Sequence, residues 1–411
     1  MQRTAPDWIL YGLVFALMVI GILNLYSIEG FPPLEWRYAY VRQLVWGGVS
    51  LSVMAIATAI QAQLWRYFSY AIYAVGIGGM ILTALIAREV NGARAWLEFG
   101  PIRLQPSEFM KVATALALAT YLNRYKFKWD EWQDRLAVSG IIGVPILLTL
   151  LQKDTGTALT FLAFFVPLYR WGLSVWVIII PVLLGGLAFL TLLYSWMYIA
   201  GGLTVVGLVS YFLLFGRRYF WLHLGIIAAL WAWLGLSGYL YHKVLAPHQR
   251  QRISVLLDPY KDPLGAGWNT IQARVAVVAG GLSGQGYGKG LQSKLDFIPQ
   301  RHTDFAFCGI AEEWGWLGAL FVIGLYVLFL LRIVQIAEAS NSVIALLYGY
   351  GLSAVLWIHL LINVAMIVGL FPVVGIPLTL ISYGGSSWVA IGAGIGILQS
   401  FYRERRMRLF G

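Results

Sequence analysis

The chain has 411 residues, of which only 11% are charged while 60% are apolar. A soluble globular domain carries about 25% charged and about 45–50% apolar residues, so water-soluble, disordered, collagen-like and disulfide-stapled classes are excluded. The composition therefore predicts a polytopic membrane protein. The single cysteine, Cys308, excludes an internal disulfide and a cysteine metal cluster, and the five histidines show no metal-ligand spacing.

Apolar runs separated by polar residues predict twelve spanning helices, because about 20 residues of helix cross a bilayer. These runs lie at 8–27, 41–61, 68–87, 107–122, 136–151, 156–169, 173–196, 199–215, 219–242, 306–335, 342–369 and 376–401. We therefore expect an all-α polytopic fold, formed as one membrane domain over 1–411. A large outer loop, partly helical, is expected at 243–305. No cleavable signal peptide is evident in the first run.

The distribution of the basic residues predicts the topology. With the N-terminus in the cytoplasm, 14 Lys and Arg residues fall in cytoplasmic segments and 6 in the short outer loops, which favours cytoplasmic N- and C-termini. The loop at 243–305 holds eight further basic residues on the predicted outer side. They indicate either contact with lipid headgroups or a site for a phosphorylated substrate. The net charge of +11 therefore does not indicate nucleic-acid binding.

Two charged residues lie inside a predicted span. Pro106 and Ser107 mark a helix start, and Glu108 and Lys111 follow three residues apart on one face of that helix. Charges at membrane depth are unfavourable unless they are paired or face a watery cavity. The pair is therefore either a structural ion pair or part of a polar cavity that opens to the outside.

Polar interruptions elsewhere carry similar alternatives. Arg94 and Trp96 follow an Asn-Gly turn signal and indicate either a headgroup anchor or a phosphate contact. Asp154 indicates either a helix cap or a cavity residue. The segment 372–387, rich in Pro, Gly and Ser, breaks an apolar run. Such a break either lines a cavity or reflects the close packing of small residues.

The loop at 243–305 holds the densest chemistry. Helical spacing of Ile271, Val275 and Val278 predicts a short amphipathic helix on the membrane. The glycine-rich stretch 280–290 fails the phosphate-loop pattern and is interpreted as a turning loop. Two Asp-Pro pairs, beginning at Asp258 and Asp262, indicate either turns, which Asp-Pro commonly forms, or functional carboxylates.

Taken together, these motifs resemble the SEDS family of shape, elongation, division and sporulation proteins, and most closely its elongation-type members. The resemblance rests on 91–96, 103–108 with Lys111, 154–157, 250–252, 262–267, Gln272, 301–305, Glu312 and Glu313 with Gly315, 375–378 and 382–385. The blocks occur in the family's order. Two departures stand out: about two helices beyond the family's ten fall between 173 and 242, and Trp268 replaces a common Tyr.

The resemblance implies a peptidoglycan glycosyltransferase that polymerises lipid II into β-1,4-linked glycan strands at the outer face of the bacterial cytoplasmic membrane. It places a catalytic aspartate, acting as general base, at Asp262. The substrate-binding residues would be Arg94, Trp96, Gln105, Glu108, Lys111, Asp154, Gln272, Arg274, His302, Asp304 and Ser386.

The resemblance also implies partners. These are lipid II, a class B penicillin-binding protein, other membrane proteins of the elongation complex, and membrane lipids. No metal site is assigned and no cofactor is required, although a divalent cation is left open. Two alternative functions are a lipid II flippase and a non-catalytic scaffold of the cell-wall synthesis complex. Ionisable residues clustered on one side favour an enzyme over a transporter, which needs polar groups along a path through both leaflets.

Overall fold

The computed structural model describes residues 5–90, 92–100, 102–212, 220–244, 247–263, 266–294 and 300–404. The chain divides into two compact units, one formed by 1–172 with 268–411 and the other by 173–267. The helices are α1 (Trp8–Ile28), α2 (Ala39–Ala59), α3 (Ala62–Tyr67), α4 (Ser69–Ile86), α5 (Pro106–Leu122), α6 (Trp132–Leu151), α7 (Thr155–Thr160), α8 (Phe165–Arg170), α9 (Trp176–Leu193), α10 (Trp196–Ser210), α11 (Phe220–Tyr239), α12 (Pro247–Leu257), α13 (Ala266–Gly280), α14 (Leu291–Lys294), α15 (Ala306–Ala339), α16 (Val343–Val368) and α17 (Gly385–Arg403).

The expected all-α membrane fold is confirmed. Among the described residues, eight helices are long and apolar enough to cross a membrane. The described strands are β1 (Leu97–Phe99) and β2 (Ile102–Leu104), which pair antiparallel with Leu97 opposite Leu104. This hairpin leads directly into α5, so it fixes where the charged first turns of that helix begin.

Two predicted spans were wrong in their continuity. The run 156–169 is split into α7, a 3₁₀ turn Phe161–Phe164, and α8. Pro167 explains the split, because it lacks the N–H that an α-helix would donate to the carbonyl of Ala163. The run 376–401 becomes helical only at Gly385.

Residues 173–267 form the second unit. The three spans predicted at 173–242 correspond to α9, α10 and α11. None of the residues of α9 is buried, which suits an apolar helix that exposes much of its surface to lipid. Polar contacts inside the unit join its helices: Trp233 Nε1 donates to the Leu184 carbonyl at 2.9 Å, and Trp231 Nε1 donates to Thr204 Oγ1 at 3.1 Å.

The first unit packs α2 closely against α17 through glycines. A Cβ on Gly392 would lie 2.7 Å from the Ser50 carbonyl oxygen, and one on Gly396 would lie 2.5 Å from that of Met54. Small residues allow helix backbones to approach in a membrane, where van der Waals packing drives helix association. This close contact holds the start of α17, and with it Ser386, at a fixed position.

Gly396→Ala is expected to lower the free energy of unfolding by about 1–3 kcal/mol, the usual cost of overpacking. The added methyl would meet backbone and the Ala57 side chain, and neither can move aside easily. Gly324→Ala is the matched control, because nothing lies within 4 Å of its Cβ. Unfolding of both variants in detergent checks the prediction, and equal losses would contradict it.

Candidate active site

A polar cluster forms where α5, α7 and α17 begin. Pro106 occupies the first helical position of α5, where its missing N–H has no partner to lose. Just before it, the Gln105 backbone N–H donates to Ser386 Oγ at 3.1 Å, and Gln105 Nε2 donates to Asp154 Oδ2 at 3.2 Å. Two of the predicted site residues, Asp154 and Ser386, are therefore hydrogen-bonded to a third, Gln105.

Asp154 is the cap of α7, as one of its two sequence interpretations held. Its carboxylate accepts from the Thr157 backbone N–H at 2.9 Å and from Thr157 Oγ1 at 2.7 Å. Burial raises the pKa of the Asp154 carboxyl, although the bonds from Thr157 act against that rise. The residue also contacts Gln105, so the cap and the polar cluster are the same side chain.

Asp154→Ala is expected to destabilise the protein by about 0.5–2 kcal/mol, the range measured for the loss of an N-cap. Asp154→Asn is the matched variant, because its amide oxygen can still accept from the Thr157 N–H. Thermal unfolding of the two variants in detergent checks this. If Asn destabilises as much as Ala, the loss comes from the charge and not from the cap.

Glu108 and Lys111 lie at the centre of the first unit. Lys111 Nζ donates to Glu108 Oε1 at 2.7 Å, and the two side chains are only 2% and 5% exposed. Lys111 Nζ also lies 2.9 Å from Nε2 of His359, a residue of α16. The sequence reasoning missed His359, because a lone histidine in an apolar run of 26 helical residues carries no spacing signal.

The non-helical segment 370–384 lies beside these charges. Gly375 and Leu380 have φ of 77° and 70°, which explains why the helix expected from residue 376 begins later. The His359 Nδ1 atom lies 2.9 Å from the Pro377 carbonyl oxygen, and Asn363 Nδ2 donates to that of Ile376 at 2.8 Å. The carbonyls of this broken backbone are thus bonded by polar side chains of α16, and these contacts do not decide between a cavity lining and the close packing of small residues.

Asp304 and His302 lie next to this segment. The Asp304 carbonyl accepts from Asn363 Nδ2 at 2.8 Å, and its carboxylate would lie 3.3 Å from a Cβ at Gly375. The His302 carbonyl accepts from the Tyr383 N–H at 2.8 Å, and its Nε2 lies 3.7 Å from Glu29 Oε1. The segment 370–384 therefore bonds to His302 directly, while Asp304 is held by Asn363 of α16 with its carboxylate beside Gly375.

Arg94 and Trp96 precede the β-hairpin. Arg94 Nε lies 3.6 Å from Glu89 Oε2, and Lys153 Nζ lies 3.1 Å from the same oxygen. Lys153, and more weakly Arg94, lower the pKa of Glu89. The Arg94 side chain is exposed and Trp96 is half-buried. Arg94 therefore presents a cation at the surface, as both a headgroup anchor and a phosphate contact require.

Gln272 and Arg274 lie on α13, where the sequence predicted a helix. Both side chains are half-buried, and Arg274 Nη2 donates to the Gly369 carbonyl at 3.3 Å. Val275 and Val278 are exposed while Ala273 and Ala276 are buried. The helix thus packs through its alanines, whereas its predicted apolar face is the exposed one.

The stretch 280–290 is a series of turns, as predicted. Its residues Gly281, Gly284, Gly286 and Gly288 all have positive φ, from 53° to 102°. Four backbone bonds among the described residues fasten the turns to α15; for example, the Gln285 N–H donates to the Glu312 carbonyl at 3.1 Å, and the Trp316 N–H donates to the Gly281 carbonyl at 3.0 Å. The Glu312 carboxylate accepts from the Gln292 and Ser293 N–H groups at 2.8 and 3.0 Å, capping α14.

Asp262 lies in the second unit, between a 3₁₀ turn Pro259–Lys261 and α13. Gln251 Nε2 donates to Asp262 Oδ2 at 2.7 Å, and the Asp262 carbonyl accepts from the Gly267 N–H at 3.0 Å. Asp258 instead caps the 3₁₀ turn by accepting from the Tyr260 N–H at 3.1 Å. The two Asp-Pro pairs therefore have different surroundings, and the Asp262 carboxylate is held by a side chain. Residues 264 and 265 of the family motif lie outside the described residues.

In the described part of the chain, no three His, Cys, Asp or Glu side chains come together in a way that would hold a metal ion. The polar groups that do converge are a carboxylate, an ammonium and an imidazole in the first unit, with amide and hydroxyl groups around them. Such groups can bind anions and orient hydroxyls.

The helical fold with a polar core defines an integral membrane protein, and comparison with known proteins supplies its family. The model of the cell cycle protein family of FtsW, RodA and SpoVE matches residues 7–213 and 199–407. The chain is 34% identical to peptidoglycan glycosyltransferase MrdB of Escherichia coli K12, over 96% of this chain and 93% of that one. It is 33% identical to peptidoglycan glycosyltransferase RodA of Treponema pallidum, over 96% of each chain.

Solved structures agree with the family. A chain of a peptidoglycan synthase complex, described as coordinating polymerization and crosslinking, superimposes with a TM-score of 0.71 at 29% identity, covering 98% of this chain and 99% of that one. The rod shape determining protein RodA of Thermus thermophilus gives a TM-score of 0.63 at 26% identity, covering 98% of each chain. The chain therefore belongs to the FtsW, RodA and SpoVE family.

Proposed function

We propose that this protein is a peptidoglycan glycosyltransferase that polymerises lipid II into β-1,4-linked glycan strands during cell elongation. The observation that carries the proposal is the match, along 96% of the chain, to relatives that are named peptidoglycan glycosyltransferases. The buried polar core and the tethered Asp262 carboxylate support it, because both are suited to a reaction between polar, charged lipid-linked sugars.

The proposed reaction is a single displacement. The 4-hydroxyl of the acceptor sugar attacks the anomeric carbon of the donor, and the bond from that carbon to the pyrophosphate oxygen breaks with inversion. Asp262 takes the hydroxyl proton as a general base. Undecaprenyl pyrophosphate leaves with the bonding electron pair. The hydrogen bond from Gln251 holds one carboxylate oxygen, which restricts the rotation of the base.

The leaving group gains negative charge on its pyrophosphate, so cations near it lower the barrier. Arg94, Arg274 and Lys111 are the proposed cations. Arg274 donates to the Gly369 carbonyl at 3.3 Å, which orients its planar group. Gln105 and its two hydrogen-bond partners, Asp154 and Ser386, are proposed to orient sugar hydroxyls. Glu108 is proposed to shape the cavity.

The proposed setting is the bacterial cytoplasmic membrane, with both termini in the cytoplasm and the reaction at the outer face. The 14 cytoplasmic basic residues against 6 in the short outer loops support this orientation. A class B penicillin-binding protein is the proposed partner. Its support is the similarity to a chain of a peptidoglycan synthase complex that coordinates polymerization and crosslinking.

The test is to give purified protein lipid II in detergent, with and without the partner and with and without EDTA. The proposal predicts glycan strands, visible as a ladder on a gel, and the EDTA arm decides whether a divalent cation assists. Transbilayer movement of lipid II in liposomes without polymer would establish the flippase alternative instead. If the purified protein makes no polymer but its partner is active only when this protein is present, the scaffold alternative is favoured.

A further inference from the structure

Three buried side chains from two helices form a continuous chain of hydrogen bonds. Glu108 Oε1 accepts from Lys111 Nζ at 2.7 Å, and His359 Nε2 lies 2.9 Å from the same nitrogen. Its other ring nitrogen, Nδ1, lies 2.9 Å from the Pro377 carbonyl oxygen. His359 is 2% exposed, so neither of its contacts is shared with bulk water.

The chemistry of these groups fixes the imidazole tautomer. A lysine ammonium has three donors and no acceptor, so the His359 Nε2 atom must be the acceptor. A carbonyl oxygen only accepts, so Nδ1 carries the proton and donates to Pro377. The ring is therefore neutral and in one tautomer, because the other tautomer would place an N–H against the Lys111 ammonium and a lone pair against the Pro377 carbonyl oxygen.

The same arrangement fixes the ammonium. Two of the three Lys111 donors are directed at Glu108 and His359, which leaves one direction for the third. Glu108 Oε2 is buried without a hydrogen-bond partner among the described residues. A buried polar atom of that kind is expected to meet water or a ligand. The third Lys111 donor and this oxygen are therefore the groups available to a bound molecule.

We propose that His359 is a positioning residue that aims the Lys111 ammonium at the anionic part of the substrate. The inference rests on the proposed function in that lipid II is the ligand. His359 links Lys111 to Pro377, in the broken segment, and Asn363 one turn further along α16 holds Ile376 of that segment at 2.8 Å. The ammonium is thus linked through His359 to the same broken segment that Asn363 joins to the Asp304 carbonyl.

Two substitutions separate the functions of the two ring nitrogens. His359→Gln places an amide oxygen near the Nε2 position and can still accept from Lys111. His359→Asn places an amide N–H near the Nδ1 position and can still donate to Pro377, but cannot reach Lys111. The two variants carry the same amide group and differ by one methylene, which decides which neighbour the amide can reach.

The measurement is the affinity for lipid II in detergent by native mass spectrometry, which requires no turnover, with polymerisation rates beside it. We expect His359→Gln to bind lipid II like the wild type and His359→Asn to bind it about tenfold more weakly. The polymerisation rate of His359→Asn should fall by up to ~10²-fold, the loss expected when the Lys111 ammonium is displaced by about 1 Å. In a Lys111→Met background, His359→Asn should cause no further loss of affinity.

The opposite order, or equal losses that follow thermal stability, would overturn the inference, as would additive losses in the Lys111→Met background. Failure of the proposed function looks different: wild-type protein would bind lipid II and form no strands, and the affinities would still decide the role of His359. Wild-type protein that does not bind lipid II would overturn both.

Discussion

Asp262→Asn is expected to reduce glycan-strand formation by about 10²–10⁴-fold, the usual contribution of a general base. The substitution keeps the shape of the side chain and an oxygen that can accept from Gln251 Nε2, now 2.7 Å from the carboxylate. It removes only the group that takes the proton. Folding and partner binding should therefore be unchanged, and strand formation from lipid II by the purified protein measures the loss.

Asp258→Asn is the matched control. Asp258 also precedes a proline, but it caps a 3₁₀ turn through the Tyr260 N–H at 3.1 Å, which an asparagine oxygen can still accept. It should retain activity. Full activity of Asp262→Asn would contradict the assignment of the base, and equal losses in both variants would show that the local turns matter and not the carboxylate.

Lys111→Met is expected to destabilise the protein by about 3–5 kcal/mol, because it leaves the Glu108 carboxylate buried without its counter-charge. Both side chains are at most 5% exposed, so bulk water has little access to the carboxylate left behind. Unfolding by SDS in mixed micelles gives the free-energy difference. The double variant Glu108→Gln with Lys111→Met should recover most of the stability, since it leaves no unpaired charge, while it should remain impaired toward lipid II.

Lys128→Met provides the comparison for this second prediction. Lys128 and Glu131 have the same three-residue spacing, but their side chains are 69% and 52% exposed and 3.7 Å apart. An exposed ion pair contributes about 0–1 kcal/mol. A Lys111→Met loss as small as that of Lys128→Met would mean that Glu108 is solvated or protonated and that the buried pair is not ionic.

The fold was predictable where a local rule operates. Apolar run length placed the helices, and Pro106 placed the start of α5, because a proline suits the first helical position. Asp154 was recognised as a candidate cap by another local rule, because an aspartate oxygen before a helix can accept from a free N–H of its first turn. The error at 156–169 arose because Pro167 changes the hydrogen-bond pattern without lowering the hydropathy of the run.

The candidate site was predictable only in part. Motif blocks identified Gln105, Asp154 and Ser386 separately, and the structure shows that Gln105 bonds to both of the others. His359 and Asn363 gave no signal, since each is a single polar residue in an apolar helix. Their importance comes from carbonyl groups of Pro377 and Ile376, and backbone acceptors carry no sequence signature.

The sequence by itself determined that this is a many-helix membrane protein, which family its motifs resemble, and which residues carry charge at unusual depth. Composition and apolar run length follow directly from the solvent that each segment must meet. The tertiary structure alone decided the partners of those charges. Glu108 and Lys111 are neighbours in the chain, but the imidazole that completes their hydrogen bonds lies 248 residues away, and only helix packing brings it within 2.9 Å.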